Sequence, residues 1–132
     1  MAWKIGASVA TLTAFPSPPT TYYQEGPNRL GYTLNGKVVT CGKPSITLTF
    51  NALSAADFKF FVDEYDASAN KVIEAPKVPG LAGVSISDPS SFEWGQYSVV
   101  MEPPTYKKVH TGLGVQGVYE EITLVFNQVD LV

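Results

Sequence analysis

The chain has 132 residues, of which 45% are hydrophobic and only 16% are charged, and its formal net charge is −3. Soluble domains average about 25% charged residues, so this composition favours a protein whose surface is covered by partners in an assembly. Arg29 is the single arginine, which argues against a nucleic-acid-binding surface. Cys41 and His110 are the only residues of their types, so an internal disulfide and a His/Cys metal cluster are excluded.

The length predicts one domain, residues 1–132, that can bury a substantial core. The N-terminal hexapeptide Met-Ala-Trp-Lys-Ile-Gly lacks the apolar run of a signal peptide. No window approaches the ~18 apolar residues of a membrane span. We therefore expect a protein made in a cytoplasm and not inserted in a membrane.

Residues 1–20 are predicted to form an N-terminal arm. Residues 3–13 have a short β-like pattern, and Pro16, Pro18 and Pro19 then interrupt regular structure, as in a stiff linker. A further short strand is expected at Tyr22 and Tyr23.

Residues 30–50 are predicted to form a three-stranded meander. Asn35-Gly36 supplies two residues that tolerate the positive φ of a tight hairpin turn. In residues 45–50 Ile46, Leu48 and Phe50 alternate with polar residues, which is typical of a half-buried strand. This strand leads directly into the one clear helix.

The helix is predicted to begin after Ser54, whose hydroxyl can accept from the amide of Asp57. Its apolar face has the spacing i, i+3, i+4, i+7 and consists of Phe58, Phe61, Val62 and Tyr65. Phe60 points elsewhere. It is either a second contact within the domain or an exposed aromatic that a partner covers.

Two late strands, 92–102 and 119–129, are predicted to pair antiparallel across a long loop, 103–118. A loop of this length in a compact domain is usually functional or mobile. A short strand is also expected at Val84–Ile86. Residues 46–51 and 122–127 are similar in sequence, which indicates either two strands facing one core or an ancient duplication.

Catalytic motifs are not evident. A Cys41–His110 pair is conceivable but lacks a supporting motif, and adjacent Glu120 and Glu121 would point to opposite faces of a strand. Residues 112–117 match G-x-G-x-x-G, yet a strand rather than a helix follows them, so a dinucleotide site is rejected. We therefore expect no enzyme activity, no cofactor and no bound metal.

Residues 42–50, a glycine-led strand with an aromatic end, followed by the capped helix start at 53–58, resemble small structural proteins of tailed-phage tails and baseplates. The resemblance implies a mainly β fold with one α-helix (α+β), as a two-sheet antiparallel β-sandwich or barrel with a single flanking helix. It also implies assembly into rings, with the arm 1–20 and the loop 103–118 reaching the next subunit.

The sequence therefore predicts a non-enzymatic virion structural protein that self-assembles in a phage tail or baseplate. Its partners would be copies of itself and other tail proteins, assembled in the host cytoplasm. The alternative is a monomeric β-barrel or sandwich that binds a small apolar ligand near Trp94 and Tyr97. The residues expected at the subunit interface are Trp3, Tyr22, Tyr23, Phe60, Tyr106, Lys107, Lys108, His110, Leu113 and Val115.

Overall fold

The computed structural model describes residues 2–26, 28–79, 81, 83–88, 90, 93–112 and 115–132. The fold is mainly β with one helix, α1, at Ala55–Ala67. The strands are β1 Lys4–Gly6, β2 Thr13–Ala14, β3 Thr21–Glu25, β4 Asn28–Tyr32, β5 Val38–Cys41, β6 Ser45–Ser54, β7 Asn70–Pro76, β8 Trp94–Met101, β9 Lys108–Gly112 and β10 Val115–Leu131. A 3₁₀ turn at Val9–Thr11 joins β1 to β2.

One antiparallel sheet forms most of the molecule, in the order β2-β1-β7-β8-β10-β6-β3, with β9 added to the first part of β10. The sheet is not closed, so the expected two-sheet sandwich or barrel is not established. The Gln24 amide of β3 donates to the carbonyls of Pro76, the last residue of β7, and Lys77, at 3.3 Å each. The sheet therefore curves enough to bring its edge strand β3 near the end of β7.

The centre of the core is the pair β6 and β10. Their buried residues are direct cross-strand partners, so the predicted alternation of both strands is confirmed. The similarity between residues 46–51 and 122–127 therefore belongs to neighbouring strands that face one core. The partners are Ile46 with Phe126, Leu48 with Leu124, and Phe50 with Ile122.

Helix α1 begins as the sequence predicts, since the Asp57 amide donates to the Ser54 hydroxyl at 3.2 Å. Phe58 and Phe61 are buried, and the Phe61 ring lies 5.4 Å from that of Phe50. Phe60 is half-buried and packs edge-to-face on Phe61 at 5.3 Å. It makes the contact within the domain rather than standing free for a partner.

Strand β10 changes face twice. Tyr119 and Ile122 both pack on the core side although they are three positions apart, and so do Phe126 and Val129. An uninterrupted strand places odd-spaced residues on opposite faces. The backbone takes a positive φ within each interval, 54° at Glu121 and 53° at Gln128, and the pairing register with β8 shifts at the second. Each kink turns the side chains that follow it to the other face of the strand, so that both residues of each pair face the core.

The predicted meander is only partly correct. β4 and β5 form the expected hairpin, but they make a separate two-stranded sheet, here called the β4–β5 ribbon. The predicted Asn35-Gly36 turn is wrong in detail, because of the two residues only Gly36 has a positive φ, 80°, and its amide donates to the Thr33 carbonyl at 2.9 Å, which makes Leu34 and Asn35 the central residues of the turn. Strand β6 instead pairs with β10 and β3, because its apolar residues need partners on both sides in the core. The segment Val84–Ile86 is not a strand.

The first twenty residues are not a free arm. Ile5 of β1 pairs with Ile73 of β7, and Trp3 is 8% exposed within the core. The prolines prevent regular structure but not packing, because Phe15 reaches Phe61 at 5.1 Å between ring centres. The free energy gained by burying these large aromatic rings favours the packed segment over an extended arm.

Residues 103–118 are not an extended loop either. The predicted pairing of the two late strands is confirmed, since Met101 lies opposite Phe126. Beyond the prolines the chain continues along β10, with Thr105 bridged to Thr123 and β9 pairing from Lys108 onwards. We call β9 with residues 115–120 of β10 the β9–β10 ribbon.

Candidate functional site

An aromatic cluster lies where the β9–β10 ribbon meets the start of α1. Phe58, the fourth residue of the helix, stacks on Tyr119 of β10 with ring centres 4.2 Å apart and planes at 16°. Tyr106, just before β9, contacts both rings edge-on, at 5.4 Å from Phe58 and 4.9 Å from Tyr119. Tyr106 is 48% exposed, so the cluster has an open side.

Beside this cluster is a largely apolar depression of about 500 Å³, here called the α1 pocket. Two alanines in the first helical turn leave the space, since longer side chains there would occupy it. A volume of this size lies within the range of known binding pockets, ~300–1,000 Å³. The pocket is lined by Ala55, Ala56, Phe58, Lys59, Val62, Tyr106 and Tyr119.

Lys59 is the one cationic lining residue of this pocket. Its ammonium donates to the Asp63 carboxylate, one helical turn on, at 2.7 Å. That hydrogen bond and the charge of Asp63 raise the pKa of Lys59, so the ammonium stays charged at neutral pH. The pocket therefore joins an apolar floor to a polar rim.

The β9–β10 ribbon extends the sheet beyond the end of β6. Ser54, the last residue of β6, pairs with Val118, whereas β9 continues to Gly112 opposite Val115. Every residue of β9 is exposed. Val109 and Val118 are among its exposed apolar residues.

Two exposed ion pairs lie in the ribbon and at its base. His110 Nε2 lies 3.2 Å from Glu120 Oε1, and Lys107 Nζ lies 4.0 Å from Glu121 Oε2. Such exposed pairs contribute about 0–1 kcal/mol to stability. Because these ion pairs contribute so little, the shape of the ribbon and its exposed valines are the features that distinguish it.

The β4–β5 ribbon leaves the sheet at the other end of β6, between Glu25 and Ser45. Its turn is closed by the Thr33 amide donating to the Lys37 carbonyl at 2.7 Å. Leu34 at the turn is fully exposed, although it is apolar. Two ribbons therefore stand at opposite ends of one strand.

A third exposed feature is the edge strand β3. Its Tyr23 side chain is 51% exposed, whereas Tyr22 turns inward and lies edge-on to Trp3 at 5.3 Å. Burial raises the pKa of Tyr22. The outward and inward tyrosines follow the alternation of a strand.

The structure divides the predicted interface residues among several places. Tyr106, Lys107, Lys108 and His110 lie together at the β9–β10 ribbon, and Tyr23 lies on β3. The other residues do not join them. Trp3, Tyr22 and Phe60 pack within their own molecule, Leu113 lies outside the described residues, and Val115 is placed only as the first residue of β10.

Sequence reasoning missed three residues of these surfaces. Phe58 was assigned wholly to the core, and Tyr119 was not singled out, because the kink at Glu121 leaves no pattern in the sequence. Leu34 was missed because a two-residue Asn35-Gly36 turn would leave it in the strand, whereas the turn of the structure starts at Thr33.

The residues considered for chemistry are dispersed. The backbone places Cys41 and His110 at opposite ends of β6, and Trp94 and Tyr97 line different depressions, of about 340 and 250 Å³. Among the described residues, no group of three or more His, Cys, Asp or Glu could hold a metal ion.

Comparison of the chain with protein-family models, with curated proteins and with solved structures found no match. In the part of the chain that the structure describes, no helix is long and apolar enough to cross a membrane.

Proposed function

We propose that this chain is a non-enzymatic structural protein whose copies assemble into the rings or tube of a tailed-phage tail or baseplate. The observation that carries the proposal is the pair of exposed ribbons at opposite ends of β6. Its site of action would be the virion tail, after assembly in the host cytoplasm. Its partners would be further copies and other tail proteins.

The ribbons suit contacts along the direction of β6. This strand has ten residues, which at about 3.3 Å each separate the two ribbons by roughly 30 Å. Each ribbon carries exposed apolar side chains, Leu34 on one and Val109 and Val118 on the other. A copy placed above or below would cover them, and covering apolar area is the main driving force for association.

The open sheet suits contacts across the strands. In the described residues β3 pairs with β6 alone, so its other edge has no strand partner in the single copy. Such an edge can add a strand of a neighbour. A contact between two different surfaces of the same protein, when it is repeated around an axis, closes a ring. In this proposal the neighbours complete the two-sheet, tail-tube-like enclosure that a single copy leaves open.

Tyr23→Lys tests the edge contact, because lysine on an edge strand opposes strand addition. We expect the wild type to form rings or tubes on negative-stain microscopy and calibrated gel filtration, and this variant to form fewer. Gln96→Lys, the same type of change at an exposed position of the inner strand β8, is the control. A wild type that remains a monomer at high concentration would overturn the proposed function.

The alternative of a ligand-binding monomer has less support in its original form. Trp94 lies against Trp3 at 5.8 Å, and the Tyr97 hydroxyl accepts from the Val78 amide at 3.1 Å. The two side chains therefore do not converge on one cavity.

A further inference from the structure

We propose that Leu34 of one copy seats in the α1 pocket of the next copy, so that copies join head to tail along β6. This inference rests on the proposed self-assembly and specifies one of its contacts. It assigns a partner to two of the apolar features that the single chain leaves exposed.

The projecting part of the contact is the turn of the β4–β5 ribbon. Leu34 is fully exposed, and residues 33–37 around it are exposed too. In the described residues the two strands of this ribbon form a sheet of their own, apart from the main one. An apolar side chain at such an apex resembles the single anchors that dominate protein interfaces.

The receiving part is the α1 pocket, whose apolar floor is formed by Phe58, Tyr106 and Tyr119. Its volume of about 500 Å³ leaves room for a leucine and part of the turn that carries it. Tyr106 is half exposed there, and Lys59 reaches its rim. The aromatic walls match an aliphatic side chain rather than a charged one.

Charge complements shape in this contact. Residues 28–41 include Arg29 and Lys37 and no acidic residue. Helix α1 has the opposite balance, with Lys59 as its one basic residue. Its acidic residues are Asp57, Asp63, Glu64 and Asp66. Lys59 at the pocket is paired with Asp63, and Glu64 is paired with Lys71, so Asp57 and Asp66 carry the negative charge that a basic ribbon would approach. This complementarity favours the orientation and the rate of encounter.

The positions of the two parts favour a chain of copies over a reciprocal pair. Leu34 belongs to the ribbon that is connected at the Ser45 end of β6, and the pocket lies at the Ser54 end, where α1 begins. A contact between unlike surfaces at opposite ends continues from copy to copy. Growth then stops only when one of the two surfaces is blocked.

Two variants block the surfaces separately. Leu34→Asp removes the anchor, and Ala56→Trp fills the pocket from within the first helical turn. We expect each to raise the protein concentration needed for stacking by more than about tenfold. Mixed together they should form stacks of two units and no longer ones, because each retains the surface that the other has lost.

Leu131→Asp, at another exposed leucine, controls for the added charge and should stack like the wild type. Circular dichroism melting checks that every variant is folded. If the wild type assembles and Leu34→Asp stacks equally well, the anchor is wrong while the proposed function stands. If the wild type does not assemble at all, both proposals are overturned.

Disulfide trapping locates the contact directly. In a Cys41→Ser background, Leu34→Cys with Ala56→Cys should give a ladder of cross-linked copies on non-reducing gels. Leu34→Cys with Ser98→Cys, an exposed position on β8, should give none. Equal ladders from both pairs, or no ladder from the first, would overturn the docking of Leu34 in the pocket.

Discussion

Individual residues in this protein are constrained by backbone geometry as much as by burial. Glu121 and Gln128 are polar and exposed, yet each holds a positive φ that lets two apolar neighbours share one face of β10. Left-handed conformations cost residues other than glycine roughly 1–2 kcal/mol. The burial of Tyr119 and Val129 offsets that cost.

Gln128→Val should destabilise the protein by about 1–2 kcal/mol, although the position is exposed, because a β-branched residue tolerates positive φ poorly. Gln128→Gly should lie close to the wild type. Urea unfolding followed by fluorescence measures both. Gln96→Val, at an exposed β8 position, is expected to be neutral, and an equal loss there would contradict the backbone explanation.

Gly95→Ala should cost about 1–3 kcal/mol through overpacking. An added Cβ would lie 2.7 Å from the Tyr97 hydroxyl. Tyr97 is buried and held by the Val78 amide, so its ring cannot easily withdraw. Equilibrium unfolding gives the difference in free energy.

Gly112→Ala is the matched control for that experiment. A Cβ at Gly112 meets nothing within 4 Å, so this variant should keep the stability of the wild type. Comparable losses from the two substitutions would show that glycine flexibility, and not contact with Tyr97, decides the effect.

At the scale of elements, the Glu93 carboxylate binds backbone amides of the segment between β7 and β8. Glu93 Oε2 accepts from the amides of Ser87 at 2.6 Å and Asp88 at 3.1 Å, and Lys77 Nζ lies 3.7 Å from Oε1. The Asp88 amide above all, then the Ser87 amide and the Lys77 charge, lowers the pKa of Glu93 against a partial desolvation that raises it. The charged form therefore orders this segment.

A lowered pKa fixes the direction of the pH dependence. The stabilisation is complete above the ordinary glutamate pKa of about 4.3 and is lost as the pH falls through the lower folded value. In amide spectra recorded by NMR, the Ser87 and Asp88 signals should shift together in that acidic range. In Glu93→Gln this shift should be absent, and at pH 7 both amides should exchange faster with solvent.

Glu102→Gln, a change at an exposed carboxyl after β8, is the control and should leave the Ser87 and Asp88 signals titrating as before. Should Glu93→Gln retain the full acidic shift, another carboxyl would be responsible, and the role given to Glu93 would be wrong.

The β9–β10 ribbon can be shortened without touching its aromatic base. Val109 and Tyr119 are cross-strand partners, so replacing residues 110–118 by Asn-Gly should rejoin them in a two-residue turn. Tyr106, Phe58 and Tyr119 would keep their contacts. We expect thermal unfolding close to that of the wild type and loss of ordered assemblies on negative-stain microscopy. Undiminished assembly would remove this ribbon from the proposed function.

At the scale of the whole molecule, several surface features could take part in contacts between copies. An open sheet, an edge strand and two ribbons with exposed apolar side chains are all present in one chain with few charges. Each feature alone is ordinary on a protein surface. Their placement at separate sides and ends is what supports repeated contact between copies.

The amino-acid sequence by itself determined the local elements: the alternating strand 45–50, the helix capped by Ser54, the β4–β5 hairpin and the pairing of the late strands. These follow from short-range periodicity and turn chemistry, which neighbouring residues encode. Only the tertiary structure decided that Trp3 is buried, that residues 103–118 run along β10, and that Phe58, Tyr106 and Tyr119 meet beside a pocket. Those outcomes depend on which residues, distant in sequence, bury the most apolar area together. They also depend on two backbone kinks in β10 that no local sequence pattern predicts.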